Sequence, residues 1–274
     1  MRTARRTLVW LVTGLLIAGV APPSGAAELD CLLQPREIVT VSAPVEGVLE
    51  RVAVERGYVV EAGSVLAVLE SSLERSAVAI ARARAAQDYN IKANQVRVDF
   101  GERRFVRTDE MFKKSLVPLK EFDEAETAKI LAGYGLIEAN EQRRLADLDL
   151  DRAQTALELR TIRSPINGVV MERLRHPGEL ASRENPLVKI ARLDPLRAEV
   201  FVPIALYGQV AVGQHAVVVP EAPLNRPLAA RVTVVDKVAN AASSTFGVRL
   251  EVPNAGNRVP GGLTCKVRIG EGAR

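Results

Sequence analysis

Apolar residues recur along the chain with two different periods, and the period changes divide it into parts. Ala43-Pro44-Val45-Glu46-Gly47-Val48-Leu49 opens a short run rich in β-branched residues. It is echoed by Ser164-Pro165-Ile166-Asn167-Gly168-Val169-Val170. Every second-copy number is 121 above its first-copy partner, and the same offset aligns Gly57 with Gly178 and Leu66 with Leu187 without a gap. In each copy a proline precedes the run, Gly47 or Gly168 is read as allowing a turn, and Gly57 or Gly178, ten residues on, permits the positive φ of the next turn. Each copy therefore predicts short strands joined by tight turns. Half such a sheet alone exposes an edge and an apolar face, so the two copies are expected to pair.

Between the copies the period lengthens to that of a helix. Residues 72–161 hold a single proline, Pro118, which splits them into two predicted helices, 72–112 and 119–160, forming a hairpin. Alternate steps of three and four from Phe122 through Ala125, Lys129, Ala132, Leu136, Ala139, Arg143, Ala146, Leu150 and Ala153 to Leu157 find nine apolar residues in eleven, a coiled-coil seam alternating large and small. The first helix is less regular. Leu73, Ala77, Ile80, Arg84, Gln87, Ile91, Asn94, Val98, Gly101, Phe105, Thr108 and Phe112 give seven apolar residues in twelve. Forty residues of helix extend about 60 Å at about 1.5 Å per residue, the length of a spacer or a docking arm rather than of a globular helix. The turn Lys113-Lys114-Ser115-Leu116-Val117-Pro118 reads as a helix stop followed by a helix start. A capped turn accounts for Pro118. Leu116, Val117 and Phe122, apolar at an exposed tip, suggest in addition a surface that meets a partner.

After the second copy the pattern returns to strands, at 196–202, 216–219, 228–238, 246–252 and 264–269, with 37–41 as a sixth. Closing six strands into a barrel removes the edges. Residues 204–212 read as a short helix ended by Gly213 that plugs one mouth.

Composition narrows the function. Aromatic residues are only 4% of the chain, which argues for small modules over an aromatic-rich enzyme core. The net charge of +4 draws three charges from Arg2, Arg5 and Arg6, leaving about +1, so no nucleic-acid partner is implied. Those arginines precede the apolar run 8–20 and a stretch of small residues ending at Ala26 and Ala27. That is the layout of a secretory signal peptide, and an uncleaved anchor is the alternative. Export to an oxidising compartment permits a Cys31–Cys265 bridge, worth on the order of 4 to 5 kcal/mol in the chain-entropy view, against the alternative of two separate buried thiols. The two histidines, His176 and His215, belong to no H-E-x-x-H, and there is no phosphate-binding G-x-x-x-x-G-K-[ST] loop and no G-x-S-x-G elbow. Neither catalytic residues nor a metal or cofactor site is assigned.

Taken in order, these segments resemble the periplasmic adaptor, or membrane-fusion, proteins of the HlyD-like family that serve tripartite efflux and secretion systems. The resemblance is carried by the Ala43-Pro44-Val45-Glu46-Gly47 and Ser164-Pro165-Ile166-Asn167-Gly168 halves, the helical insertion, Leu193-Asp194-Pro195-Leu196 and Pro260-Gly261-Gly262-Leu263. It implies a mixed α+β, elongated modular fold: a split lipoyl-like barrel-sandwich hybrid interrupted by a long antiparallel coiled-coil α-hairpin, then a small six-stranded β-barrel, with no membrane-proximal domain. The corresponding boundaries are a signal peptide at 1–26, a barrel-pairing segment at 27–41, lipoyl-like halves at 42–71 and 162–190, the hairpin at 72–161 and the barrel at 191–274. No Met-Lys-Met sequence is present, which argues against a cofactor-carrying lipoyl arm.

The resemblance further implies three partners: an inner-membrane transporter, most simply of the resistance-nodulation-division type with an ABC-type exporter as the alternative, a TolC-type outer-membrane channel, and further copies of the chain in a hexameric ring. A secreted interaction protein unrelated to transport is the competing reading. The family's channel-docking tip carries an Arg, a Leu four residues on and a Ser seven beyond that. This chain has Arg107, Met111 and Pro118 at those positions, so the apolar contact is retained and the hydroxyl is lost.

Overall fold

The computed structural model describes residues 28–270, so the signal-peptide segment lies outside the described residues. In chain order the elements are β1 (Glu28–Ser42), β2 (Gly47–Val52), β3 (Val59–Val60), β4 (Val65–Leu69), α1 (Ser72–Ala85), α2 (Tyr89–Lys113), α3 (Leu119–Glu158), β5 (Thr161–Arg163), β6 (Gly168–Arg173), β7 (Leu180–Ala181), β8 (Pro186–Pro203), β9 (His215–Pro220), β10 (Leu228–Asn240), β11 (Thr245–Val252) and β12 (Leu263–Ile269). They divide into two compact units. One comprises 34–196 with 254–261, the other 28–33, 197–253 and 262–270. The segment 254–261, expected with the barrel, belongs to the first unit. Buried Asn254 fastens it: its Nδ2 donates to the carbonyls of Leu193 and Val259, at 3.0 and 2.8 Å, and its backbone N–H to Asp194 at 2.9 Å.

In the first unit the 121-residue repeat becomes a reciprocal exchange of strands. β2 pairs with β7, Gly47 opposite Ala181. β6 pairs with β3 in the equivalent register, Gly168 opposite Val60. The backbone bonds repeat likewise: Leu49 donates to Glu179 and Val170 to Tyr58, both at 2.9 Å, while Ala53 donates to Leu66 and Leu174 to Leu187, both at 2.8 Å. The two sheets run β5-β4-β2-β7 and β1-β8-β6-β3. Neither copy has a complete sheet of its own, and each edge is covered by a strand of the other. The core is paired by the same offset, with Val41 and Ile162, Leu49 and Val170, Val60 and Ala181, Leu66 and Leu187, and Leu69 and Ile190 all buried.

The hairpin inserted between the copies consists of three helices, because the expected single helix 72–112 is interrupted between α1 and α2 at residues 86–88. This interruption shifts the phase of the buried stripe. From Ile91 to Phe112 the predicted seam positions face inward, but in α1 the inward residues are Glu74, Val78, Ala81 and Ala85, each one position after the predicted Leu73, Ala77, Ile80 and Arg84. Leu73 and Ile80 are exposed as a result. No Gly or Pro marks the break. In α3 none of the eleven seam residues is exposed. Its polar members find partners: Lys129 pairs with Glu102 at 3.1 Å and lies 4.7 Å from the Phe105 ring centre, and Arg143 pairs with Asp147 at 3.3 Å.

The second unit is built on the strand order β1-β12-β9-β10-β11-β8. The pairing of β1 with β12 runs through Glu28 to Leu33, not through the predicted 37–41, which is the far part of the same strand. Alternation along β11 buries Phe246, Val248, Leu250 and Val252 on one face. The helix expected at 204–212 is a single 3-10 turn, Ile204–Leu206. Tyr207 follows it and meets Phe246 edge-on at 5.2 Å. Cys31 and Cys265 are cross-strand neighbours joined by a disulfide.

Candidate docking tip and hairpin root

The tip is shaped by a local stop signal. After α2 the backbone N–H groups of Ser115 and Leu116 return to the carbonyls of Phe112 and Met111, at 2.8 and 2.9 Å, and Ser115 adopts φ of +56°. Pro118 then sits extended at the N-cap of α3, where its fixed φ and missing N–H cost nothing. Behind this turn three aromatic rings close the seam. Phe122 stacks on Phe112 at 5.0 Å and tilts toward Phe105 at 5.7 Å.

This geometry sorts the predicted tip residues. Leu116 is 67% exposed and Met111 43% exposed. Arg107 lies exposed one helical turn before Met111, Val117 is half-buried, and Pro118 is exposed. Phe122 belongs to the seam and not to the outer surface, because its ring is needed to close the gap between α2 and α3. Leu119, 58% exposed as the first residue of α3, completes the apolar tip together with Leu116 and Met111. Leu119 lies outside the three-four rhythm of the seam, although an apolar residue directly after the proline of a turn is a visible signal.

The glycines of the repeat separate into two kinds. Gly57 and Gly178 have φ of +89° and +88°, the left-handed turn that favours glycine. Gly47 and Gly168 make no such turn. They open strands β2 and β6, and what they supply is space. A Cβ on Gly168 would overlap the carbonyl oxygen of Ala191, and one on Gly47 would lie 2.6 Å from Nη1 of Arg160.

Arg160 marks the root of the hairpin, where α3 returns to the sheets. Its Nη2 donates to Glu74 in the first turn of α1 at 2.6 Å, and its Nη1 to the carbonyl of Glu46 at 3.1 Å. Nearby, Glu70 caps α1 by accepting from the N–H of Ser72 at 2.8 Å. Hydrogen bonds from Ser72 hold the Glu70 carboxyl below the usual carboxylate range. The sequence gives no hint of Arg160's contacts, since its partners lie about ninety or more residues away. Among the described residues no cluster of three or more His, Cys, Asp or Glu side chains is placed to hold a metal ion, and no helix is long and apolar enough to cross a membrane. His176 lies 3.3 Å from Glu179 in the turn before β7.

An exchanged pair of half-sheets, a helical hairpin between them and a following β-unit define a class, and comparison with known proteins specifies it. Residues 37–192 match the family model described as CzcB-like, barrel-sandwich hybrid domain, and residues 197–273 match the CusB-like, beta-barrel domain. The chain belongs to the periplasmic adaptor, or membrane-fusion, family, whose members are non-enzymatic structural adaptors. Among solved structures it is similar in fold to MacA from Actinobacillus actinomycetemcomitans, with a TM-score of 0.72, 20% identity, and coverage of 89% of this chain and 77% of that one. It is similar also to the membrane fusion protein Spr0693 from Streptococcus pneumoniae R6, with a TM-score of 0.57, 14% identity, and coverage of 90% and 100%. A MacA-MexA chimera containing the Pseudomonas aeruginosa MexA α-hairpin domain gives a TM-score of 0.54 at 16% identity, covering 89% and 78%. No curated protein sequence matches the chain significantly.

Proposed function

We propose that the protein is the periplasmic adaptor subunit of a tripartite efflux or secretion system, joining an inner-membrane transporter to an outer-membrane channel of the TolC type. The observation that carries this reading is the hairpin. α3 alone runs about 60 Å at about 1.5 Å per residue, its seam is closed along the whole length, and its far end presents Leu116, Leu119 and Met111 to solvent. An exposed apolar cap at the end of an arm is a surface to be covered by a partner. The work is binding, and no catalytic step is assigned to any residue.

The chain acts in the periplasm, brought there by the segment 1–26 as a signal peptide. The transporter is of the resistance-nodulation-division type; the match of 197–273 to a CusB-like barrel supports this over an ABC-type exporter. Copies stand side by side in a ring, taken as a hexamer. Support comes from apolar residues left outside the seam on both long helices, Val96 and Phe100 on α2 and Ile130, Tyr134 and Ile137 on α3, all more than half exposed. Side-by-side packing of hairpins covers both faces at once. The docking surface comprises Leu116, Leu119 and Met111 with Arg107 beside them, while Val117 and Pro118 shape the turn and Phe122 supports it from within.

Tagged, exported protein, mildly cross-linked and purified from membranes, is expected to bring down a transporter together with an outer-membrane channel. Leu116→Asp is expected to lose the channel, keep the transporter and leave the melting temperature within about 2 °C, because an exposed substitution changes stability little. A monomeric protein that recovers neither partner favours the secreted interaction protein instead.

A further inference from the structure

We propose that Arg160 is a positioning residue that locks the direction of the hairpin at its root. Purpose comes from the adaptor reading; the geometry and the test do not depend on it.

The argument starts from the repeat. In the second copy, Gly168 lets β6 approach β8 so closely that a Cβ would overlap the Ala191 carbonyl, and backbone fills the space beside the glycine. The residue equivalent to Ala191 in the first copy is Glu70, where the chain leaves the sheet for α1. Beside Gly47 that departure leaves room, and the guanidinium of Arg160 occupies it: the nearest atom to a Cβ built on Gly47 is Arg160 Nη1. One planar group thus stands where the other copy has a strand.

From that position Arg160 ties together every segment that meets at the root. Nη1 donates to the Glu46 carbonyl ahead of β2 and Nη2 to Glu74 of α1, while its own backbone carbonyl accepts from Leu69 N–H at the end of β4 at 2.8 Å. Its side chain is 22% exposed and that of Glu74 14%, so the pair is largely shielded from solvent and salt. A guanidinium has the fork geometry to serve two acceptors in one plane; an ammonium is a point charge without it. The arm turns a small angular error at the root into a large displacement. A swing of about 10° moves the tip of an arm of about 60 Å by about 10 Å, enough to miss a partner. A rigid root keeps neighbouring tips at one height and one angle.

The test uses pulsed dipolar spectroscopy on the isolated full chain, with nitroxides at Glu138→Cys on α3 and Arg56→Cys in the loop after β2, both exposed positions. The native cysteines are joined to each other and leave no thiol free to take up label. Glu138 lies about 22 residues, or about 33 Å of helix, from the root, so a swing of about 10° shifts it by about 6 Å. Arg160→Ala is expected to broaden the distance distribution by about that amount at unchanged helicity. Arg160→Lys should broaden it less, and the exchange Glu74→Arg with Arg160→Glu should not restore it, because a carboxylate has no proton to donate to the Glu46 carbonyl. Where Arg160→Ala fails to fold, Glu74→Gln is the variant to read, and it is expected to broaden the distribution part-way. An unchanged width in whichever of these two variants is read, or a full restoration by the exchanged pair, overturns the proposal. Since no partner is present, a broadened distribution in a protein that captures no channel keeps the lock and sinks only the adaptor reading.

Discussion

The two copies of the repeat make the same strands in the same register, yet similar sequences meet different neighbours at the point where the hairpin enters. In the second copy β6 is followed by β7 and then by β8, which runs on as strand past Ala191, and its backbone there presses on Gly168. In the first copy the chain leaves the sheet after Leu69, Glu70 caps a helix, and a side chain from the end of the hairpin fills the space beside Gly47. The difference shows how an insertion of about ninety residues is tolerated inside a small sandwich. Pairing between copies holds the sheets, and one interaction at the root replaces the strand contact that the insertion removed.

The sharpest way to break this comparison is to add one methyl group to each glycine. Gly168→Ala would place its Cβ inside a backbone carbonyl that cannot move without dragging β8, and is expected to cost about 3 kcal/mol or more. Gly47→Ala meets the far end of a side chain, which can shift without dragging a strand, and is expected to cost about 1 kcal/mol. Combining Gly47→Ala with Arg160→Ala should recover about 0.5 kcal/mol or more of that cost in a double-mutant cycle, with no such coupling for Gly168→Ala. Equal losses at the two glycines, read by denaturant unfolding, would remove the asymmetry.

A smaller effect is expected at Arg175, which stands where the first copy has buried Val54. Nε of Arg175 is enclosed without an acceptor, while Nη1 reaches Glu179 at 3.3 Å. Arg175→Val makes the copies alike, and is expected to raise stability by about 1 kcal/mol, as an enclosed unpaired donor costs more than a half-exposed ion pair returns. A loss of stability would show that the ion pair outweighs the enclosed donor.

The smallest effect belongs to Glu70, whose counterpart Ala191 does not titrate. Because Ser72 lowers its pKa, the folded state is favoured above the ordinary carboxyl pKa, and the benefit disappears as pH falls through the lowered value. Glu70→Gln is therefore expected to melt slightly below the parent at neutral pH, with the gap closing on acidification. A gap that persists at low pH would mean that charge is not what Glu70 contributes.

How far each feature was legible follows from how local its cause is. The α3 seam could be read because one unbroken helix keeps one phase, and the 121-residue offset because it needs no gap. In α1 the buried stripe lies one residue later than the pattern predicts, since the three-four count runs straight through Ala86-Gln87-Asp88, where no Gly or Pro stands and the only start signal is Asp88, the N-cap of α2. The positive φ at Gly57 and Gly178 is a property of the local turn and was visible. The role of Gly47 and Gly168 was misread as turning because the atoms that require a missing side chain, on Arg160 and Ala191, are distant in the sequence. Phe122 is expected from its pattern both in the seam and at the tip; its stacking on Phe112 and its contact with Phe105, two residues of the facing seam, put its ring in the seam.

The adaptor account stands most directly on the claim that the far end of the hairpin is an interaction surface and the near end is not. Leu116 at the tip and Leu73 at the root are 67% and 75% exposed, so exposure alone does not distinguish them. Replacing each in turn with a photo-cross-linking amino acid in living cells, and identifying the products, separates the two. The account predicts an outer-membrane channel cross-linked from position 116 and none from position 73; no channel product from 116, or equal products from both, would contradict it.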